Sequence, residues 1–337
     1  MISLKNDYSA GAHPKVLQAL IDTNMENTVG YGDDNYCKEA AEIIKNLIKY
    51  PSANVYFAMA GTQTNLTTLA AILRPHEAII SAETGHICVH EAGAIEATGH
   101  KVIHVPTENG KLLPHHIDEV MKQHCNAHWV LPKLVFISNL TETGLFYNKS
   151  ELQALREKCD KYGLYLYMDG ARLAMALAHK DCDLTFEDLP KYLDAFYIGG
   201  TKCGILMGEA IVLINEKFNH GFVSLMKQRG AILAKGRLLG VQFKELMSNN
   251  LYIELGEHAN RLAEKLAQGI KTKGYDFEFP PCSNMIFPIF PMDLIKSFEG
   301  KVGYDDFIDN DDGTGRIRLV TAWSTKPAEV EEFLNLI

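Results

Sequence analysis

Two apolar runs near the middle of the chain each end in residues that could do chemistry. Tyr165–Met168 leads into Asp169 and Arg172 in Y-L-Y-M-D-G-A-R. Ala195–Ile198 leads into Gly-Gly-Thr-Lys, with the lysine at 202. A carboxylate and a lysine at the carboxyl ends of two neighbouring strands suit a cofactor that needs a charge partner and a covalent anchor. Pyridoxal phosphate is such a cofactor: a carboxylate keeps its ring nitrogen protonated, and a lysine amine forms the Schiff base. Either run alone reads equally well as an ordinary buried strand followed by a solvated charge. The two in this order point to one site.

Other residues offer supporting chemistry. A-G-T-Q-T-N at 60–65 puts Gly61, Thr62 and Gln63 where a strand gives way to a helix. Free backbone N–H groups and the helix dipole favour a phosphate there. The plainer reading is a simple N-cap by Thr62 or Thr64. The segment has neither the Walker-type Lys-Ser/Thr nor the G-x-G-x-x-G spacing. His86, just past a strand end, could stack on an aromatic cofactor or act as a base near neutral pH. His86, His90 and Glu91 do not have H-E-x-x-H spacing, so no metal is expected. His124 and His128 read as solvated. Arg172, three residues after Asp169, has the forked guanidinium that suits a substrate carboxylate. In R-I-R-L-V-T, Arg316 and Arg318 point to one side of a strand, and one of them reads as a solvated edge charge. Arg318 is favoured because the apolar strand core follows it directly.

These residues need elements to position them. From Asn54 onward, strand-like runs alternate with helical ones: N-V-Y-F-A-M-A, E-A-I-I-S, K-V-I-H-V, L-V-F-I-S, Y-L-Y-M-D, D-A-F-Y-I-G and E-A-I-V-L-I. Helices are predicted from Lys15 to Asn24, along 36–50, from Gly61 to Leu73, around Val89–Thr98, over Pro114–Cys125 and Ser150–Tyr162, and from Ala171. This alternation predicts an α/β fold with a mostly parallel seven-stranded sheet covered on both faces. Ligands bind beyond the carboxyl ends of such strands, where Gly61, Asp169 and Lys202 all fall. After Phe218 the texture changes, with helical stretches over Val223–Met247 and Tyr252–Lys273, then short strands and helices. The reading is a large domain with an N-terminal arm over residues 1–248 and a small α+β domain over 249–337.

Composition narrows the class. The chain has 337 residues, 47% apolar and 22% charged, as expected of a soluble globular protein of about two domains. A net charge of −9 argues against a nucleic-acid partner. No run approaches the roughly 18 apolar residues of a membrane span, and the N-terminus lacks an apolar signal core. The seven cysteines form no C-x-x-C pair, which fits reduced thiols in a cytoplasm. Cys203, beside Lys202, reads as a small core residue.

The motifs together resemble the β-eliminating lyase/threonine aldolase family of fold-type I pyridoxal-phosphate enzymes over nearly the whole length. They are N-D-Y-S-A-G-A-H-P, Y-G-D-D, A-G-T-Q-T-N, G-H-I-C-V-H-E-A-G, Y-M-D-G-A-R, I-G-G-T-K-C-G and R-L-V-T-A-W. The resemblance implies Lys202 as the Schiff-base lysine, Asp169 on the pyridine nitrogen and His86 stacked on the ring. It implies phosphate at Gly61, Thr62 and Gln63, and substrate carboxylate at Arg172 and Arg318. It implies a homo-oligomer, typically a tetramer, with sites at a dimer interface, Tyr31 and Asp33 near the neighbour's site, and Lys227 near the active site. Two departures stand out. Thr141, in S-N-L-T-E-T-G, replaces a family histidine proposed as proton acceptor, and Asn6 replaces a serine that binds the substrate carboxylate. The function expected from the resemblance is cleavage of a threonine-like β-hydroxy-α-amino acid to glycine and an aldehyde. The base would be His86 or a water near Thr141 and Glu142. The alternatives are another pyridoxal-phosphate lyase reaction such as β-elimination, and a non-catalytic pyridoxal-phosphate-binding protein.

Overall fold

The computed structural model describes residues 1–337. After the short strand β1 (Ile2–Ser3), seven strands build the central sheet. They are β2 (Asn54–Ala58), β3 (Glu77–Ala82), β4 (Lys101–Val105), β5 (Leu131–Ser138), β6 (Tyr165–Asp169), β7 (Ala195–Gly199) and β8 (Glu209–Leu213). Their order is β2-β8-β7-β6-β5-β3-β4. Strands β3 to β7 pair in parallel, and β8 runs antiparallel to both β7 and β2. This is the mostly parallel seven-stranded α/β sheet expected from the alternating pattern.

Strand periodicity assigns the two faces. Val135, Ile137, Leu166, Met168, Phe196 and Ile198 pack in one apolar cluster. Their alternating neighbours Leu134, Phe136, Tyr167, Ala195 and Tyr197 pack in another, with Leu69 of helix Gly61–Ile72. Successive side chains on a strand face opposite ways, so Asp169 shares a face with Tyr167. Because both faces are covered, β3, β7 and β8 are buried at every position.

Helix boundaries follow local capping. Helix Lys149–Tyr162 begins at Asn148 rather than at Ser150. The Asn148 side chain accepts from the Glu151 N–H, and Glu151 accepts in return from the Asn148 N–H. Such caps stabilise by about 1 kcal/mol. Gly163, at φ 64°, supplies the left-handed stop. Two expected helices divide. Around Val89–Thr98 the chain forms a short helix, His86–Val89, and a 3₁₀ turn, Glu96–Thr98. Between them Ala92 (φ 50°) and Gly93 (φ 74°) take left-handed conformations that no helix tolerates. The stretch after Phe218 splits into Phe222–Gln228 and Arg237–Met247, with Gly230 at φ 69° in the break.

Beyond helix Leu251–Thr272 lie β9 (Met285–Ile286), β10 (Ile289–Pro291), β11 (Val302–Gly303), β12 (Asp305–Asp309) and β13 (Thr314–Val320). Strands β9, β10 and β12 pair antiparallel with β13. Strand β1 pairs in parallel with β11, and Ile2 and Leu4 pack against Leu262, Ile317, Leu319 and Phe333. The N-terminal arm is thus stitched to the C-terminal elements. That anchorage brings Asp7 to the carboxyl edge of the large sheet.

Candidate active site

Register aligns the strand ends that carry the chemistry. Ser138 pairs with Asp169 at the ends of β5 and β6, and Tyr167 pairs with Ala195 in β6 and β7. The segments that follow β2, β6 and β7 meet at a cleft of about 480 Å³, lined by Gly61, Thr62, His86, Arg172, Lys202 and Arg318 among others. Six residues singled out in the sequence are therefore brought together.

Asp169 lies beneath the cleft, 3% exposed. Its Oδ1 accepts from Tyr197 Oη at 2.5 Å and from the Ala171 N–H at 3.0 Å. Its Oδ2 accepts from Asn65 Nδ2 at 3.0 Å. The same Asn65 amide donates to Glu91 Oε1 at 2.7 Å, and that oxygen also contacts His86 Nδ1 at 2.7 Å. Asp169, Asn65, Glu91 and His86 form one connected network. It brings His86, Glu91 and Asp169 within 4.8 Å of one another, with the Asn65 amide bonded to both carboxylates. Burial tends to lower the proton affinity of His86, but the bond to Glu91 and the charges of Asp169 and Glu142 raise it on balance.

Lys202 sits in the turn after β7. Burial, then the charge of Arg172, depresses its pKa, against the pull of Asp7, Glu142 and Asp169. A half-buried lysine with a weakened hold on its proton is a nucleophilic amine. Nearby, Glu209 receives the Gly200 N–H at 3.0 Å, and burial pushes its carboxyl up to about 8.

Arg172 is paired before any substrate arrives. Its Nε donates to Asp7 Oδ2 at 2.7 Å and its Nη2 to Oδ1 at 3.1 Å. Asn284 also donates to Asp7 Oδ2, at 3.0 Å. Burial would raise the Asp7 pKa, but the charges of Arg172 and Lys202 and these hydrogen bonds lower it overall. Arg318 lines the cleft and donates to Asp305 at 3.1 Å. Arg316 instead engages Glu278 and Asp306. The structure thus separates the two arginines that the strand pattern left on one side.

At the N-terminus of helix Gly61–Ile72 the expected threonine cap does not form: Ala60 is the N-cap and no side chain caps the helix. The first N–H groups of a helix have no partner within it. At Gly61 an added Cβ would stand 3.2 Å from Tyr197 Oη, so glycine keeps this approach open. Gln63 turns away from the cleft, accepting from the Met59 N–H and donating to the Arg229 carbonyl.

Five other sequence candidates lie off the cleft. Thr141 is buried, and its Oγ1 is bonded to Thr143 and to the Leu145 N–H. Its neighbour Glu142 lines the cleft instead. Asn6 folds back on its own turn, accepting from the Tyr8 N–H and Ser9 Oγ. Tyr31 and Lys227 line a different hollow, of about 750 Å³, together with Asp33. There the Lys227 ammonium stands 4.5 Å from the Tyr31 ring centroid. That hollow is the larger of the two, but the titratable groups that could act together are in the Lys202 cleft.

The donor set fits pyridoxal phosphate. Asp169 is a buried carboxylate that meets a phenol, an amide and a backbone N–H but forms no salt bridge, so a protonated ring nitrogen would supply the missing positive charge. Uncapped N–H groups at Gly61 and Thr62 suit the phosphate, and Lys202 is the amine that could supply the covalent anchor. Asp7, Asn65, Tyr197 and Glu209 do not stand out in the sequence reading. Asn65 and Asp7 lie inside motifs quoted for other reasons, and only their partners reveal their place.

The sheet order and the placement of the lysine define a fold-type I pyridoxal-phosphate enzyme. An aspartate aminotransferase from Thermus thermophilus shares this fold, with a TM-score of 0.73 at 15% identity, covering 100% of this chain and 90% of that one. The family model for β-eliminating lyases matches residues 4–290, and the chain belongs to that family. It is similar to a low-specificity L-threonine aldolase of Pseudomonas aeruginosa, at 30% identity over 97% of this chain and 94% of the relative. A solved threonine aldolase of Leishmania major is similar at 43% identity and a TM-score of 0.98, covering 100% of this chain and 98% of that one.

Proposed function

We propose that the protein is a pyridoxal-phosphate-dependent aldehyde-lyase that cleaves a threonine-like β-hydroxy-α-amino acid to glycine and an aldehyde. One observation carries this reading. A half-buried lysine, a buried carboxylate without a cation partner and two guanidinium groups converge on one cleft, in a chain similar to threonine aldolases from two organisms.

Lys202 is the covalent anchor, Asp169 the partner of the ring nitrogen and His86 the ring that stacks against the cofactor. Gly61 and Thr62 hold the phosphate. When bound, the cofactor supplies a sink for the electron pair left on Cα. Arg172 and Arg318 take the substrate carboxylate. Holding that group fixes rotation about Cα, which decides whether the Cα–Cβ bond is the one that breaks. Asp7, by holding two nitrogens of Arg172, orients the guanidinium toward the substrate. The test is an amino-acid panel assayed for aldehyde and for keto acid. Glycine and aldehyde from L-threonine, L-allo-threonine or phenylserine are expected. Pyruvate and ammonia from serine or cysteine, with no aldehyde from threonine, would overturn the reading in favour of β-elimination.

We further propose that the active form is a cytoplasmic homo-oligomer, in which a second copy brings Tyr31 and Lys227 to this cleft. Ile21, Met25, Val29 and Tyr31 are 57–88% exposed on one stretch of chain, an apolar surface of the kind that copies of a chain cover. All seven cysteines are free thiols, as a reducing compartment requires. Sedimentation analysis checks the assembly, and a monomer with full activity would refute it.

A further inference from the structure

Cleavage of a β-hydroxy amino acid needs a group that takes the hydroxyl proton, and the cleft contains several candidates. Most are already committed. The guanidinium groups of Arg172 and Arg318 have no acceptor to offer, and the carboxylates of Asp7 and Asp305 are paired with them. His86 is bonded to Glu91, which favours its protonated form. Glu209 is bonded to the Gly200 N–H and burial favours its neutral acid form. Asp169 sits beneath the cleft in a network of three donors. Among the carboxylates and imidazoles of the cleft wall two remain, Glu142 and the rim residue His90.

Glu142 is held in place by its neighbours rather than by its own carboxylate. The Thr141 N–H donates to the Leu145 carbonyl at 2.8 Å, and the Gly144 N–H donates to the Thr141 carbonyl at 3.0 Å. Thr143 Oγ1 bonds both Thr141 Oγ1, at 2.8 Å, and the Asn109 carbonyl, at 2.6 Å. At Gly144, φ is 80° and an added Cβ would stand 2.9 Å from the Met285 carbonyl, so the turn is also pressed against β9. Both flanking threonines are buried and bonded, while Glu142 is half-buried and forms no hydrogen bond or ion pair. Its charge acts on His86, His90, Arg172 and Lys202, which places the carboxylate among the groups that would surround the substrate.

We infer that Glu142 is the proton acceptor for the substrate β-hydroxyl, an assignment that rests on the aldol-cleavage reading above. The Glu142 carboxylate takes the hydroxyl proton, and the O–H electron pair becomes the second bond of the aldehyde carbonyl. The Cα–Cβ bond breaks and its pair remains on Cα, which later takes a proton to become glycine. Glu142 returns its proton to solvent, so the step balances without an added reagent. The exposed His90 serves as a rim contact.

The test uses holoenzyme bearing Glu142→Gln or His90→Asn. Three quantities are read: aldehyde release from L-threonine, glycine affinity from the change in visible cofactor absorbance, and exchange of the glycine α-proton with deuterated solvent. Glycine has no β-hydroxyl, so the last two do not need the proposed base. A positioned general base contributes about 10²–10⁴-fold. E142Q is therefore expected to lose at least about 100-fold in aldehyde release, with glycine affinity changed less than about threefold and exchange retained. H90N is expected to lose less than about tenfold. The inference is overturned if E142Q keeps more than about a tenth of wild-type aldehyde release, or if H90N shows the large loss instead. Equal loss of glycine affinity, exchange and cleavage in E142Q would also overturn it, since that pattern marks a structural role. Wild-type protein that releases no aldehyde would defeat the aldol reading itself, and this assignment with it. An active wild type matched by an active E142Q would defeat the assignment alone.

Discussion

Replacing Asp7 tests how the N-terminal arm, the large sheet and the C-terminal elements are joined. The Asp7 side chain is 0% exposed and that of Arg172 6%. Asp7 accepts two hydrogen bonds from Arg172 and one from Asn284. Removing one partner of a buried ion pair leaves an uncompensated charge, which typically costs about 3–5 kcal/mol. Asp7→Ala is expected to lose stability in that range. Asp7→Asn keeps an acceptor oxygen but not the charge, and a loss of about 2 kcal/mol is expected, as for a charged hydrogen bond. The assay is guanidinium unfolding of cofactor-free protein, which keeps ligand binding from masking the difference. The pH dependence gives a second check. Asp7 has a lowered pKa in the folded state, so its stabilisation is present above the unfolded carboxyl value and is lost as pH falls through the folded one. The acid-side decline of the wild type should therefore be shallower in Asp7→Asn. Pairing Asp7→Leu with Arg172→Met removes both charges and should recover much of the stability lost in Asp7→Ala. An Asp7→Ala protein within about 1 kcal/mol of wild type, with an unchanged acid profile, would refute the reasoning.

Two further outcomes follow from the same cleft. Lys202→Ala should abolish the visible absorbance of the lysine-bound cofactor and the covalent adduct trapped by borohydride; a surviving reducible adduct would place the anchor elsewhere. Glu209 has a folded-state pKa raised to about 8. Its contribution to stability is present below the unfolded carboxyl pKa and lost as pH rises through about 8. Cofactor-free Glu209→Gln should escape that loss and be more stable than wild type at alkaline pH by a few kcal/mol, measured by thermal unfolding across pH.

The sequence alone determined the alternation of strand and helix, the carboxyl-end placement of Asp169 and Lys202, and hence the class of cofactor. These are local facts. Apolar runs of strand length name the buried strands, and the residue that ends such a run lies at the sheet edge. The chemistry around them depended on contacts distant in the chain. Asp7 and Arg172 are 165 positions apart, and Asn65 is 104 from Asp169, so neither pairing leaves a periodic trace. Arg316 and Arg318 share a side of one strand, and only the carboxylates around each decide which of them faces the cleft. At 141 and 142 the closure of a single turn decides which side chain enters the cleft and which is tied down. A hydrogen-bonded loop has no fixed side-chain period to read, so the structure turns attention from Thr141 to Glu142. The same limit applies to Tyr31 and Lys227: their types suit an amino-acid site, but within one chain they face a different hollow.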